Sequence, residues 1–209
     1  MNQLPIERIM QKPVFTSFTP RHWIIPLLTT LSLLFTLQTN ALEVKVTVEN
    51  LGPENGHFLT PPWIGFHGGS FDIFDAGSSA SAALESISED GSSAALASSF
   101  LSAGDGTIQG TLTAIGPVAP GKSVSMNFLL NADSAFNRYV SYTTMVIPSN
   151  DAFLANADPM AYALWDDEGN FTPVSFEVPG STVWDAGTEV NDESPTNTAF
   201  FGQAAPNTG

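Results

Sequence analysis

The amino-acid sequence predicts an all-β fold, an antiparallel β-sandwich with a short helical insertion at about residues 78–104. Three observations lead to this prediction. Several runs have the alternating or β-branched side chains of strands, turn-forming Gly and Pro residues separate those runs, and one Ala- and Ser-rich stretch has apolar residues at helical spacing. Short strands separated by turns are typical of an antiparallel sandwich.

The strand-like runs differ in regularity. Residues 42–50 alternate apolar and polar side chains, as expected for a sheet with one face in water. Residues 124–130 show the same alternation, and residues 108–115 show it more weakly. Residues 139–147 are β-branched and aromatic, which favours a central strand. We expect a strand at each of these positions.

The Ala- and Ser-rich insertion predicts two short helices. Asp90 and Gly91 divide it, Ser92 or Ser93 can cap the second helix, and Gly104 can end that helix. A disordered Ser-rich insertion is the alternative.

The N-terminal residues predict a secretory signal peptide over residues 1–41. Basic residues precede an apolar run at 23–37, which is short for a membrane span, and Ala41 provides a small residue at a cleavage point. An uncleaved membrane anchor is the alternative, and Met10 is an alternative start. The mature chain is therefore expected to be secreted, periplasmic or at the cell surface.

The chain is strongly acidic. It has 6 Lys and Arg against 21 Asp and Glu; the leader holds three of the former and one of the latter, which leaves 3 basic and 20 acidic residues. Nucleic acid is excluded as a partner because phosphate binding needs a basic surface. Direct binding to an anionic membrane is disfavoured unless calcium bridges the two. On composition alone, solubility explains the acidity better than cation binding does.

Residues 42–209 are predicted to form a single domain, because no linker divides them. The sequence contains no Cys, so buried apolar side chains or a metal must stabilise the fold. The sequence ends at Gly209, and a further C-terminal strand or anchor beyond it stays an open alternative.

Two apparent catalytic signals do not fit the chemistry they suggest. Residues 116–123 match the spacing of a phosphate-binding loop, but Pro117 and Pro120 lack the backbone N–H groups that such a loop needs, and a strand follows. His67 has Ser70 nearby but no strand-to-helix elbow after it. We expect a hairpin turn, a packed or capping histidine, and no enzymatic activity.

The segment VWDAGTEVNDES, residues 183–194, places Asp185, Glu189, Asp192 and Glu193 together without a basic residue. A tight turn between Asp185 and Glu189 can aim both carboxylates at one calcium ion, which takes about six to eight oxygen ligands. An Asp-initiated turn in an acidic loop explains the same spacing. Spacing alone leaves both interpretations open.

Two stretches resemble the spondin N-terminal domain family, which is found in matrix proteins of the F-spondin and mindin type and in many exported bacterial proteins. They are MVIPSNDAFLAN at residues 145–156 and VWDAGTEVND at residues 183–192. Residues 61–81 and 195–209 are similar to the bacterial branch. The resemblance therefore covers essentially all of the chain after the leader.

The resemblance implies a spondin-type domain over residues 42–209, a C2-like antiparallel β-sandwich that holds Ca²⁺ among loops at one end. The implied metal ligands are Asp151 from the first element, and Asp185 and Glu189 from the second. Glu189 stands where animal members have Asp, which keeps the carboxylate and lengthens the side chain. Asp133 is the nearest match to a further acid that family members use.

Two classes of function follow. The resemblance favours an exported, non-enzymatic, calcium-binding module of the adhesion or extracellular-matrix type, with an extracellular protein or glycan as its ligand. The alternative is a carbohydrate-binding or carbohydrate-active β-sandwich with a structural calcium. In that case Trp63, Trp165 or Trp184 would stack on a sugar ring.

Cleavage after Ala41 should produce a mature protein that begins at Leu42 and accumulates outside the cytoplasm, because the apolar run is too short and too interrupted for a stable span. N-terminal sequencing of the exported protein measures this. Recovery of an intact, membrane-embedded N-terminus would contradict it.

Overall fold

The computed structural model describes residues 41–132, 135–192 and 194–203. Apart from Ala41, the predicted signal peptide lies outside these residues. The described residues form strands and helices with the following bounds: β1 (Ala41–Glu49), β2 (Phe58–Leu59), β3 (Trp63–His67), α1 (Ala82–Asp90), α2 (Ala94–Ala103), β4 (Ile108–Thr111), β5 (Ser123–Asn131), β6 (Tyr139–Ile147), β7 (Ala152–Ala155) and β8 (Trp184–Asp185).

The strands form two antiparallel sheets. One sheet pairs β1 with β5 over their whole lengths, with Val44 opposite Phe128. The other has six strands in the order β4-β3-β6-β7-β8, and β2 adds to one end of β6. Gly65 of β3 lies opposite Ser141 of β6 at the centre of this sheet. The predicted mainly antiparallel β structure is confirmed.

The predicted strands at residues 42–50, 124–130 and 139–147 are confirmed as β1, β5 and β6. The run predicted at residues 108–115 is a strand only as far as Thr111, which pairs with the first residue of β3, Trp63. Two prolines precede Trp63 in the chain, and proline cannot donate a ladder hydrogen bond. Strand β4 therefore ends at Thr111, opposite the first residue of β3.

The two predicted helices are also confirmed. Ser81 caps α1 by accepting a hydrogen bond from the N–H of Leu84, and Gly91 ends the helix at a φ of 66°. Gly104 ends α2 at a φ of 71°. Ser93 occupies the N-cap position of α2, but its hydroxyl bonds Thr111 instead of capping the helix.

Strand β3 is buried on both faces. Ile64 and Phe66 face the β1–β5 sheet, where the rings of Phe66 and Phe128 lie 4.9 Å apart. Trp63 faces the helices and packs at 5.3 Å against Phe100 of α2. The six-stranded sheet is thus covered by the smaller sheet on one side and by the helices on the other. A strand that is buried on both faces tends to have a continuous apolar sequence, without the alternation of apolar and polar residues seen in a half-buried strand.

The two sheets are in close contact through β5 and stand apart along β1. A cleft of about 1360 Å³ lies between β1 and the larger sheet and is lined mostly by apolar side chains, among them Val44, Tyr142 and Phe176. Residues 173–178 follow its rim without regular secondary structure. In the described part of the chain, no helix is long and apolar enough to cross a bilayer.

Gly65 should not tolerate a side chain, because a Cβ there would stand 2.3 Å from Cη2 of the buried Trp63 ring. We expect Gly65→Ala to lower the free energy of unfolding by about 1–3 kcal/mol, as overpacked cores do. Gly180→Ala is the matched control, since a Cβ at Gly180 meets nothing within 4 Å. Urea denaturation of both variants measures this; equal stabilities would contradict it.

Candidate metal centre

The turn between β6 and β7 contains Asp151, whose side chain is buried inside the protein. The hydroxyl of Ser149 accepts from the N–H of Ala152 at 3.1 Å, and the side chain of Asn150 donates to the carbonyl of Asn197 at 2.7 Å. These bonds hold the turn against its neighbours. Asp151 itself is only 1% exposed, although aspartate is among the residue types least often buried.

The loop that follows β8 wraps around the Asp151 carboxylate. Strand β8 pairs with β7, with Asp185 opposite Ala152, so the two acidic segments predicted from sequence are neighbours in the sheet. Asp151 Oδ2 accepts hydrogen bonds from the N–H of Thr188 at 2.8 Å and from the N–H of Glu189 at 3.1 Å. The carboxylate thereby fixes the loop conformation.

The other oxygen of the same carboxylate is not satisfied by the protein. Asp151 Oδ1 is buried and has no hydrogen-bond partner among the described residues. The single ion pair within those residues joins His67 and Asp105, so no Lys or Arg neutralises Asp151. A buried carboxylate with one unsatisfied oxygen is costly unless a cation or a further donor is present.

The structure brings two of the four predicted metal ligands together. Glu189 is 4% exposed and contacts Asp151 through its backbone N–H. Asp185 is exposed, and its carboxylate accepts hydrogen bonds from the N–H of Gly187 at 2.7 Å and from the side chain of Asn191. Asp185 therefore forms the Asp-initiated turn that its spacing also allowed. Asp133 lies outside the described residues.

A carboxylate that sequence reasoning missed lies beside this pair. Glu89, in the last turn of α1, is near enough to Thr188 and Glu189 for both to influence its pKa. Burial raises the pKa of Glu89, and the neighbouring Glu189 raises it further. No spacing in the sequence relates a helix end to the β8 loop. We call Asp151, Glu189 and Glu89 the acidic cluster.

The acidic cluster does not chelate an ion as its side chains are placed. Across the described ranges, no three acidic or histidine side chains converge closely enough to hold a metal. Asp151 offers one buried, unsatisfied oxygen, so the cluster fits a cation in part. Completing the coordination would require these carboxylates to move from the positions they occupy.

A second group of polar residues, Asp105, His67 and Ser141, is arranged like the Asp-His-Ser of a catalytic triad. Its hydrogen bonds do not have the direction that a triad requires. His67 Nε2 lies 2.9 Å from the hydroxyl of Ser141, and Nδ1 lies 3.6 Å from Asp105. The N–H of Gly69 donates to Nδ1 at 3.1 Å, so in the neutral ring the proton is on Nε2. The histidine then donates to the serine hydroxyl, whereas a general base must accept from it.

This group is structural. His67 and Ser141 are fully buried, and Asp105 accepts hydrogen bonds from the backbone N–H groups of Gly69, Ser70 and Phe71. Burial raises the pKa of Asp105, but the bonds from Ser70 and Phe71 outweigh it and the net pKa is lowered. The prediction that His67 is a packed residue is confirmed.

The phosphate-loop pattern forms a turn, but the expected hairpin is wrong because β4 and β5 belong to different sheets. The N–H of Lys122 donates to the carbonyl of Ala119 at 3.0 Å, and β5 begins at the next residue, Ser123. Two of the three tryptophans considered for sugar stacking are unsuitable, because Trp63 and Trp165 are buried. Trp184 is partly buried and packs on Phe74.

Comparison with known proteins adds no assignment: no protein-family model matches the chain, and neither does any curated protein.

The pH dependence of stability should reveal the neutral, buried His67. Burial lowers the pKa of His67, and Asp105 offsets this only in part. The unfolded chain therefore takes up a proton on this residue at higher pH than the folded protein does. Stability should fall as the pH decreases through 6.5, the ordinary pKa of histidine.

Thermal unfolding of the wild type and two variants from about pH 7.5 to about pH 5.5 measures this. His67→Gln should flatten the decrease in melting temperature over this range, whatever its effect at neutral pH. His57→Gln, at the other histidine after the leader, should keep the wild-type slope. The same slope in all three proteins would contradict the interpretation.

Proposed function

We propose that this chain is an exported, non-enzymatic, calcium-binding module of the adhesion or extracellular-matrix type, similar to the spondin N-terminal domain. Its ligand would be an extracellular protein or a glycan. The observation that carries the proposal is the Asp151 carboxylate, which is buried, wrapped by the β8 loop and left with one unsatisfied oxygen. A calcium ion supplies the charge and coordination that this oxygen lacks.

The sheet arrangement supports the finer prediction of a C2-like β-sandwich. The β1–β5 pair packs against one face of the six-stranded sheet, with Phe128 and Leu130 buried at the contact. The acidic cluster lies at one end of the larger sheet, where the turn before β7 meets the loop after β8. Calcium held among loops at one end of a sandwich is what the resemblance implies.

The proposed ligands are Asp151 and Glu189, with Asp185 and Asp133 as the further carboxylates that the resemblance implies. To bind the ion, Asp185 must either release the N–H of Gly187 or share its carboxylate between that N–H and the ion. The ion would join the turn before β7 to the loop after β8. Its role would be to stabilise this end of the domain and shape its surface.

The charge of the chain fits the same proposal. With 3 basic and 20 acidic residues after the leader, the surface repels anionic lipid and nucleic acid but attracts divalent cations. The carbohydrate-binding alternative has lost two of its three aromatic platforms, since Trp63 and Trp165 are buried. Turnover of any polysaccharide in a hydrolysis screen would contradict the non-enzymatic proposal.

Calcium should raise the melting temperature of the wild type. At about a hundred times Kd, a ligand that binds only the folded state adds about 2.7 kcal/mol, which corresponds to several degrees for a chain of this size. Asp151→Asn should abolish the increase, since a neutral side chain binds calcium weakly. Asp167→Asn is the control, because it removes an equal charge from an exposed turn.

Scanning calorimetry with calcium and with chelator measures these effects. Identical curves for the wild type in both conditions would reject the calcium proposal. Asp185→Asn tests whether Asp185 is a ligand. If Asp185 binds the ion, the calcium-induced rise in melting temperature becomes smaller in this variant. If Asp185 only initiates a turn, Asn replaces it with little change.

A further inference from the structure

The smaller sheet is open along one edge. Among the described residues β1 pairs only with β5, so its other edge has no neighbouring strand over its length of 9 residues. Such an edge presents unpaired N–H and C=O groups that can pair with another extended segment. The lining of the cleft includes every residue from 43 to 49. The open edge of β1 therefore lies at the cleft.

The two apolar walls of the cleft face each other without meeting. The inward side chains of β1 are only partly buried; they are Leu42, Val44, Val46 and Val48. The larger sheet contributes side chains that are also only partly buried, namely Val140, Tyr142 and Leu154. By contrast, Leu130 of the neighbouring β5 is 1% exposed. Burial of these walls would be favourable, and along β1 it is incomplete.

Residues 173–178, which we call the strap, have the sequence of a strand. Val174, Phe176 and Val178 alternate with Ser175 and Glu177, the pattern of a strand with one buried face. Pro173 begins the strap and Pro179 follows it. Proline is accepted at the first residue of a strand and in an edge strand, because it lacks only the N–H. The strap is therefore suited to an edge position.

The backbone of the strap is unpaired in this structure. Within the described part of the chain, no backbone N–H of residues 174–178 donates a hydrogen bond, and these residues belong to no sheet. Val174 is 36% exposed and Phe176 is 43% exposed, although both are apolar. The ends are fixed: the N–H of Thr172 donates to the carbonyl of Leu164 at 2.9 Å, and β8 begins at Trp184.

The ring of Phe176 shows which way the strap faces. It stacks on Tyr162 at 3.7 Å and lies 5.5 Å from the ring of Tyr142, which is on β6. In an extended segment, side chains two residues apart lie on the same face. Val174 and Val178 would then point into the cleft with Phe176. The backbone of the strap would be left free to pair sideways with β1.

We propose that the strap closes the cleft by pairing, as a third strand of the smaller sheet, with the open edge of β1. This structure shows the open form. Closure satisfies the N–H groups of both segments and covers the apolar walls. It also removes an edge to which a strand of another chain could add. The strap therefore controls access to the cleft and to β1, independently of the calcium site.

Hydrogen exchange of the full chain, followed at each amide by NMR, tests the pairing without a variant. In a strand at the edge of a sheet, alternate N–H groups point to the neighbouring strand. Every second amide of residues 174–178 should therefore exchange at least about tenfold more slowly than in a peptide of the same sequence, as for a strap that is open about a tenth of the time. Unprotected amides throughout the strap would overturn the proposal.

Two variants test whether the strap covers β1. Phe176→Ser removes the ring that holds the apolar face of the strap against the larger sheet, so the open-edge amides of β1 should lose protection. Glu177→Ser is the matched control, since it changes the adjacent exposed residue on the opposite face. It should keep the wild-type protection. Circular dichroism checks that both variants are folded. Equal protection of β1 in the two variants would overturn the proposal.

The neutral apolar dye Nile red tests access to the cleft. A strap that is closed about nine-tenths of the time lowers the apparent affinity for the dye about tenfold, so Phe176→Ser should bind it about tenfold more tightly than the wild type. Equal binding would show a cleft that stays open to apolar molecules. Protection of β1 that increases with protein concentration, while the strap stays unprotected, would place a second copy at the edge. Either result overturns the proposal.

Discussion

The constraint on which the structure depends is the burial of β3 on both faces. Trp63 packs on the helices and Phe66 packs on β5, so one short strand joins the two apolar clusters of the protein. Gly65 has no room for a side chain beside the rings of Trp63 and Phe100. Strand β6 pairs along β3, and its far end carries the turn that presents Asp151. The position of the acidic cluster thus follows from the packing of the core.

The fold uses a carboxylate to organise a loop in two places. Asp105 accepts three consecutive backbone N–H groups of the loop after β3, and Asp151 accepts two from the loop after β8. In both cases side-chain oxygens replace the backbone partners that an irregular loop lacks. The two sites differ in solvation: the Asp105 side chain is 16% exposed, whereas Asp151 is almost entirely buried. Bulk solvent therefore reaches the first site far more readily than the second.

On the proposed function, calcium resolves a conflict between charge and burial. The chain is strongly acidic, and Asp151 and Glu189 lie where water is largely excluded. A chain without Cys has no disulfide to hold its loops. An ion bound by carboxylates from the turn before β7 and the loop after β8 would perform that role and would make the geometry of this end sensitive to calcium.

The sequence by itself determined the local structure. Alternation located β1 and β5, β-branched residues located β6, and Asp90-Gly91 separated the two helices, because these signals act between neighbouring residues. The resemblance to spondin-type motifs singled out Asp151 and Glu189. Only the tertiary structure decided that β3 is a central strand and that Asp185 bonds within its own turn. Such contacts depend on how the sheet and the helices pack, and residues far apart in sequence leave no periodicity from which to infer them.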